Sequence, residues 1–546
     1  GTTAVAVMYR FLEGIMDNGR SAAAMGRSQS ELMDNGSNSP EGVQYPIAQR
    51  PIPEIDYYIP DRYTEGYGVS TQGIDYAAAQ GCNLIITLDC GIKAVEKVAY
   101  AKTKGIDFII CDHHLPGDEI PAAVAVLDPK REDCNYPFDE LSGCGVGFKL
   151  VQGYAQKKGI PFAEVEKLLD LVVVSTAADI VPLTGENRIL AYYGLRRLND
   201  APRKGLHSII HICGLDKHVI TIDDIVFKIG PRINAAGRMR VDPADPDAAP
   251  SGGHKAVEML IEVDAQEAKK CGDIIDEFNQ SRKSIDRNVT QEAHDIIEGS
   301  EEMKSHKSIV IYNPKWMKGI VGIVASRLIE TYYKPTVVLT MSNNFATGSA
   351  RSVAGFDLYQ AVESCSDLLE NFGGHMYAAG LTMKPENIEE FTRRFHAYVE
   401  EHIDPALLVP QVDVDSELLF SDITPSFRAV LSRFQPFGPG NNAPVFATRG
   451  VSNRGDAKLV GAEAEHLKIS SGMASGFKSE NNVGLKLESN NMVEIDLAKL
   501  SSVVEARSEE IIANVEEQIK RSGLERKELT AGVVVVGNAA KLRGWL

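Results

Sequence analysis

The sequence predicts an α/β protein: a parallel-sheet domain, a helical connector, a smaller α/β domain and then a small β-barrel. Three observations predict it. Leu84-Ile85-Ile86-Thr87-Leu88 and Ile106-Asp107-Phe108-Ile109-Ile110-Cys111 are short apolar runs, each followed by an aspartate, with a helical pattern between them (Ala94, Val95, Val98, Ala99, Ala101). Buried parallel strands read as continuous apolar runs, and a helix between two of them makes a right-handed crossover. A second such unit begins at Ser308-Ile309-Val310-Ile311-Tyr312, with a helix over 320–332 and a strand over 336–340. Beyond about residue 406 the runs shorten to β-like stretches at 412–420, 444–448 and 467–470, the texture of a small barrel.

The remaining elements follow in order. Val5, Met8, Tyr9, Leu12 and Ile15 have helical spacing over residues 1–16. Residues 17–53 are rich in Asn, Ser, Gly, Gln and Pro and read as a polar insertion. Residues 241–253 form a second, Pro-rich interruption, and the Gly-Gly-His at 252–254 inside it carries no expected role. A long helical pattern from Val257 to Ile296, one helix or two, bridges the two α/β halves. The expected domains are 1–205, the connector 206–305, 306–405, 406–474 and an atypical tail 475–546.

Composition narrows the function. The 546 residues suggest about three or four domains. With 57 basic and 75 acidic residues the net charge is −18, which argues against a non-specific nucleic-acid coat but leaves room for a local basic groove. Apolar runs such as 533–536 fall far short of the ~20 residues that span a bilayer. Eight cysteines, none in a C-x-x-C pair, point to reduced thiols and a cytoplasmic location. Residue 1 is Gly, and the first residues already read as part of an ordered element with no signal peptide, so the sequence is expected to begin in mid-domain.

The chemistry concentrates at strand ends. Asp89 follows the first run and Asp112-His113-His114 the second. Ligands of open α/β sheets sit at the carboxyl ends of the strands, so these groups should share one crevice. Asp179 follows the apolar stretch 171–174 and costs free energy there unless paired or bound to metal. A strand-end Asp alone is usually a helix N-cap. Two together, with histidine, make a hard O/N ligand set for Mn²⁺ or Mg²⁺. Elsewhere, Ser349 and Arg351 stand two apart, on one face if extended. Gly373, Gly374 and His375 open a Gly-rich stretch to 380, read as a loop whose N–H groups approach an anion. Arg232 and Arg238 flank Asn234, and arginine suits phosphate.

These motifs, in this order, resemble the DHH phosphoesterase superfamily, and within it the single-stranded-DNA-specific exonucleases. The matching stretches are 57–68, 88–91, 112–114, 141–147, 178–183, 232–238, 349–352 and 373–380, and the likeness covers about 1–16 and 54–470. The resemblance implies a DHH domain, a DHHA1 substrate-binding domain and an OB-fold. It implies a Mn²⁺- or Mg²⁺-dependent 5′→3′ exonuclease on single-stranded DNA in repair and recombination, with a helicase or single-strand-binding protein as the protein partner. By family role Asp89 bridges two metals, His113 and Asp179 ligate one, Asp112 orients His113, and His114 faces the scissile phosphate. Arg62, Arg232, Asn234, Arg238, Ser349, Arg351, Gly373, Gly374 and His375 bind the strand between the two halves. Phe434, Phe437 and Phe446 are stacking candidates, with core packing expected for at least two.

Three departures qualify this. The family's Asp-x-Asp pair before Gly-Thr-Thr is not in the sequence, which is expected to make it a weak metal binder with little activity. The two interruptions are polar enough to loop out. The tail resembles a fragment of the actin-like cell-division ATPase FtsA at 493–496, 504–522 and 528–537, without that family's consecutive glycines. Two other readings stand beside the exonuclease. One is a DHH phosphodiesterase for short oligonucleotides or cyclic dinucleotides. The other is a catalytically inactive nucleic-acid-binding scaffold.

Overall fold

The computed structural model describes residues 1–24, 55–61, 64–238, 252–449, 458–460 and 466–468. Arg62, the bulk of the polar insertion and the FtsA-like tail therefore lie outside the described residues. The described residues divide into two units, those within Gly1–Arg282 together with Pro436–Asn442, and those within Lys283–Gln435 together with the described residues from Ala443 onward.

The first unit begins with α1 (Thr2–Ala24), which continues into the stretch read as a polar insertion. Ala4, Val7, Met8 and Phe11 are buried, a face offset from the one its largest side chains mark. The reason is that α1 packs against three helices, α4, α6 and α11, and small residues suit that crowding. The unit continues with α2 (Thr71–Ala79), β1 (Leu84–Leu88), α3 (Val95–Thr103), β2 (Asp107–Cys111) and β3 (Ala125–Leu127). The three strands form a parallel sheet in the order β1-β2-β3. Leu88 stands opposite Cys111, and Cys111 opposite Leu127, so the residues after each strand emerge at one edge. β3 has only three residues and left no readable signature in the sequence.

Helices follow: α4 (Gly143–Lys158), α5 (Phe162–Glu166), α6 (Leu169–Ala178), α7 (Gly185–Asp200), α8 (Lys204–Ile212), α9 (Ile222–Asp224), α10 (Gly230–Ala236) and α11 (Gly252–Ile261). A π-helical turn, Ile225–Ile229, precedes α10. Pro231 has no N–H to donate into the helical ladder, which is consistent with the wider turn at that point. The α6 helix is buried on all sides, as its apolar sequence requires, with Leu171, Val172 and Val173 at 0% exposure. Its first turn carries a buried charge, Asp170, which accepts from Arg203 Nη2 at 2.6 Å and Nε at 3.0 Å and from the Leu171 N–H at 2.8 Å.

The long helical pattern resolves into α11 and one 34-residue helix, α12 (Ala265–Glu298), which runs from the first unit into the second. The Gly-Gly-His at 252–254 is not idle, contrary to expectation. Gly252 and Gly253 open α11 in buried positions, and His254 Nε2 accepts from the Ile59 N–H at 3.4 Å and packs on Tyr57 and Tyr58.

The second unit adds α13 (Glu301–Ser305), β4 (Ile309–Tyr312), α14 (Val321–Tyr332), β5 (Thr336–Ser342), β6 (Phe345–Arg351), α15 (Leu358–Glu363), β7 (Leu369–His375), β8 (Ala378–Met383) and α16 (Ile388–His402). Its five strands run β4-β5-β6-β8-β7, parallel only between β4 and β5. Beyond it, β9 (Ser416–Glu417) pairs with β10 (Phe446–Ala447) across α17 (Pro425–Ser432), and β11 (Lys458–Val460) with β12 (His466–Lys468). Phe446 is buried against Phe427, Phe437 is half-buried and Phe434 is 54% exposed.

Removing Asp170 leaves the Arg203 guanidinium unpaired at the start of α6. Asp170→Ala should cost about 3 kcal/mol, read as a lowered midpoint in thermal unfolding of the first unit's transition.

Candidate metal centre

The edge of the three-stranded sheet gathers the predicted groups. Asp89 follows β1 with φ 66°, a left-handed conformation rare for a residue with a side chain. Its N–H donates to Cys111 O at 2.8 Å and its carbonyl accepts from Tyr67 Oη at 3.1 Å. Gly143, the first residue of α4, must be glycine, because a Cβ there would lie 2.2 Å from Asp89 Oδ1 and 2.7 Å from Asp89 Cα. Ser142 caps that helix through its Oγ on the Gly145 N–H.

His113 Nε2 lies 3.2 Å from Asp89 Oδ1 and 3.4 Å from Asp179 Oδ2. Asp179 arrives from the C-terminal end of α6, so a helix supplies the third member. Ligand atoms of Asp89, His113 and His114 all lie within 4.8 Å of one another. Burial raises the Asp89 pKa, while the adjacent His113 ring favours the ionised carboxylate. At Asp179 burial and the Asp89 charge push the pKa up. Two carboxylates beside one imidazole are a donor set for a hard divalent cation, and the buried Asp89 Oδ1, which has no well-aligned hydrogen bond, fits that use.

Asp112 does not act as expected. Its Oδ2 accepts from the Ile92 N–H at 2.9 Å. Its Oδ1 takes the His113 N–H at 2.8 Å and the His114 ring Nδ1 at 2.7 Å. It therefore orients the His114 ring and the backbone of the turn, not the His113 ring. The reason is local: Asp112 Oδ1 also accepts the N–H groups of His113 at 2.8 Å and His114 at 3.3 Å, so the chain turns about this carboxylate and brings the His114 ring onto it. The Asp112 bond raises the His114 pKa.

Sequence reasoning missed two residues here. Tyr67 lies 6.1 Å from the His114 ring as well as bonding Asp89 O; its signal was its place in the 57–68 stretch. Asp128 follows β3 as Asp89 and Asp112 follow β1 and β2, but the strand before it was too short to read. It is 3% exposed, and its Oδ2 and His113 Nδ1 both lack a hydrogen-bond partner.

The substrate candidates are placed separately. In the first unit Arg232 spends its Nε on Asp276 at 2.8 Å and its Nη1 on Lys228 O at 2.8 Å; Asn234 is exposed and Arg238 half-buried. In the second unit Ser349 and Arg351 share a face of β6, as expected, with Arg351 Nη1 donating to Ser349 Oγ at 2.7 Å. Both face α14, where a Cβ on Gly322 would come within 3.1 Å of each. Burial lowers the Arg351 pKa. Gly373, Gly374 and His375 are not a loop: they are the end of β7, paired with Gly380, Ala379 and Ala378 of β8. A Cβ on Gly374 would lie 2.2 Å from Ala378 O, so close hairpin pairing accounts for that glycine.

The model described as "DHH family, N-terminal domain" matches residues 1–176, "DHHA1 domain" matches 306–401 and "RecJ OB domain" matches 414–484. The class is thus a DHH-family protein with an appended DHHA1 domain. Single-stranded-DNA-specific exonuclease RecJ of Bacillus subtilis (strain 168) is 36% identical over 449 residues, covering 81% of this chain and 54% of the relative. Its namesake in Salmonella typhimurium is 35% identical over 432 residues, covering 76% and 72%. The crystal structure of RecJ in complex with Mn²⁺ from Thermus thermophilus matches at TM-score 0.62 and 26% identity, covering 75% of this chain and 58% of that one. A structure of exonuclease RecJ bound to manganese matches at TM-score 0.54 and 27% identity, covering 75% and 89%. The chain belongs to the RecJ family. It spans about half the length of the Bacillus relative.

Burial pushes the Asp128 pKa up to about 6, against the Lys130 N–H that favours its ionised form. The folded protein thus prefers the neutral acid, so ionisation costs stability above pH 6, and the cost vanishes as pH falls towards the ordinary aspartate range. In EDTA, Asp128→Asn should unfold later than the parent at pH 8, by about 2 kcal/mol, with the gap closing by pH 4 in thermal unfolding.

Proposed function

We propose that this protein is a metal-dependent exonuclease that removes mononucleotides from the 5′ end of single-stranded DNA. The observation that carries the reading is the convergence of Asp89, His113 and Asp179 on one edge of the sheet, with His114 beside them. Asp89, His113 and Asp179 would hold Mn²⁺ or Mg²⁺, the ion that the RecJ crystal structures carry. When bound, such an ion polarises phosphoryl oxygens and lowers the pKa of a water. The chain's own groups do the rest. Asp112 fixes the His114 ring through Nδ1 and keeps it readily protonated, so its Nε2 can donate to a phosphate oxygen. Ser349 and Arg351 are the preferred phosphate contacts of the second unit, because the guanidinium is oriented by its neighbour. The RecJ OB match over 414–484 favours a long single strand over a dinucleotide, which needs no added grip. With an overall charge of −18, the strand must be held by local groups. This activity places the protein in DNA repair and recombination in the cytoplasm, where a helicase or single-strand-binding protein presents the strand. Its eight cysteines, with no C-x-x-C pair among them, suit a reducing compartment. Among the described residues no helix is long and apolar enough to cross a membrane.

The test is digestion of 5′- and 3′-labelled single strands, duplexes and dinucleotides by the full chain, with Mn²⁺ and with EDTA. Mononucleotide release from the 5′ ends of single strands, abolished by EDTA, is expected, slow for the sequence as given and faster once Asp-x-Asp is restored ahead of Gly1; cleavage confined to dinucleotides would mark the small-substrate phosphodiesterase. His114→Ala should lower kcat by about 10²- to 10³-fold, and Asp179→Ala should also weaken Mn²⁺ binding.

A further inference from the structure

Asp179 ends α6 in a turn that the helix alone does not fix. The next residue, Ile180, has φ 58°, a conformation a β-branched residue adopts only when its surroundings impose it. Ile180 is 61% exposed, so its own side chain does not supply the constraint. The hold lies further along. Asn187 Nδ2 donates to Pro182 O at 2.9 Å, and the Leu183 N–H donates to Pro439 O at 2.6 Å. Pro439 belongs to Pro436–Asn442, a short strap that groups with the first unit although its neighbours in sequence group with the second.

The strap is closed on itself. Gly438 and Asn441 exchange backbone hydrogen bonds at 3.0 and 2.9 Å, and Asn441 Nδ2 donates to Pro436 O at 2.8 Å. It meets the turn where side chains are missing. A Cβ on Gly438 would lie 2.5 Å from Leu183 Cδ1, and one on Gly440, which has φ 73°, 3.2 Å from Thr184 Cγ2. Leu183 itself is 1% exposed, so the clash has nowhere to go.

We infer that this strap is a positioning element for Asp179: it locks the strained turn after the ligand through Leu183 and so sets where the carboxylate stands. No residue of the strap needs to touch the metal or the strand. Because the strap falls inside the stretch matched by the RecJ OB domain, the sequence that would grip the strand also carries the piece that holds the ligand. The inference deepens the nuclease reading and rests on it for turnover, but not for metal binding.

The experiment uses the full chain and its Gly438→Ala variant. Three quantities are read: Mn²⁺ affinity from the electron paramagnetic resonance signal of the free ion, amide exchange at Leu183, and kcat and KM on single-stranded DNA. Gly438→Ala should weaken Mn²⁺ binding about ten-fold, speed exchange at Leu183 and lower kcat while KM stays within about two-fold. Asn441→Ala, which opens the strap without a clash, should move all three in the same direction by less. Gly272→Ala is the control, since its added methyl would meet Ser208 Oγ at 2.1 Å on another pair of helices. It should unfold earlier and bind Mn²⁺ like the parent. A folded Gly438→Ala with parental Mn²⁺ affinity overturns the inference, as does an equal loss in Gly272→Ala. A parent that binds Mn²⁺ yet degrades no single strands even with Asp-x-Asp restored ahead of Gly1 overturns the nuclease reading instead, and the metal and exchange comparisons still decide the strap.

Discussion

Two carboxylates aimed at one imidazole are the constraint around which the first unit is organised. Asp89 and Asp179 approach His113 Nε2 to 3.2 and 3.4 Å, Asp89 largely shielded and the Asp179 side chain 37% exposed. Like charges so close repel, and each loses hydration. The Asp179 carboxyl shows the tension: burial and the Asp89 charge push its pKa up. Such an arrangement persists only if the backbone cannot relax away from it.

The backbone meets that demand with strain fixed on both sides. Asp89 has a left-handed φ, and its Cα and carboxylate are backed by the Cβ-less Gly143. Ile180, after Asp179, is left-handed too, and bonds to Pro182 and Leu183 clamp the turn beyond it. Between them Asp112, 1% exposed, spends its oxygens on the Ile92, His113 and His114 N–H groups and the His114 ring. A carboxylate so occupied is a scaffold for the turn, which explains why the third acidic group at this edge need not be a ligand.

Much of this is legible in the order of the residues. The parallel strands announce themselves because buried faces demand unbroken apolar runs, and the aspartates that end those runs can be placed at one edge from register alone. β3 escapes because three residues carry no period, and Asp128 escapes with it. Gly373 to His375 mislead because glycine marks both anion loops and tightly paired strands; only the pairing with β8 separates them. His254 looks idle in sequence because its partners, Tyr57, Tyr58 and Ile59, are far away along the chain.

Residue type and hydrophobic period were enough to settle the fold class and the family: the α/β alternation, the strand-end Asp89 and Asp112-His113-His114, and the resemblance these carry. They could do so because both are local properties of the chain. Which nitrogen each carboxylate meets was settled by the fold. Asp112 serves His114, Asp179 joins from a helix, and a strap far along the chain holds the turn after it. Those are long-range contacts, fixed by packing and backbone geometry that no local pattern encodes.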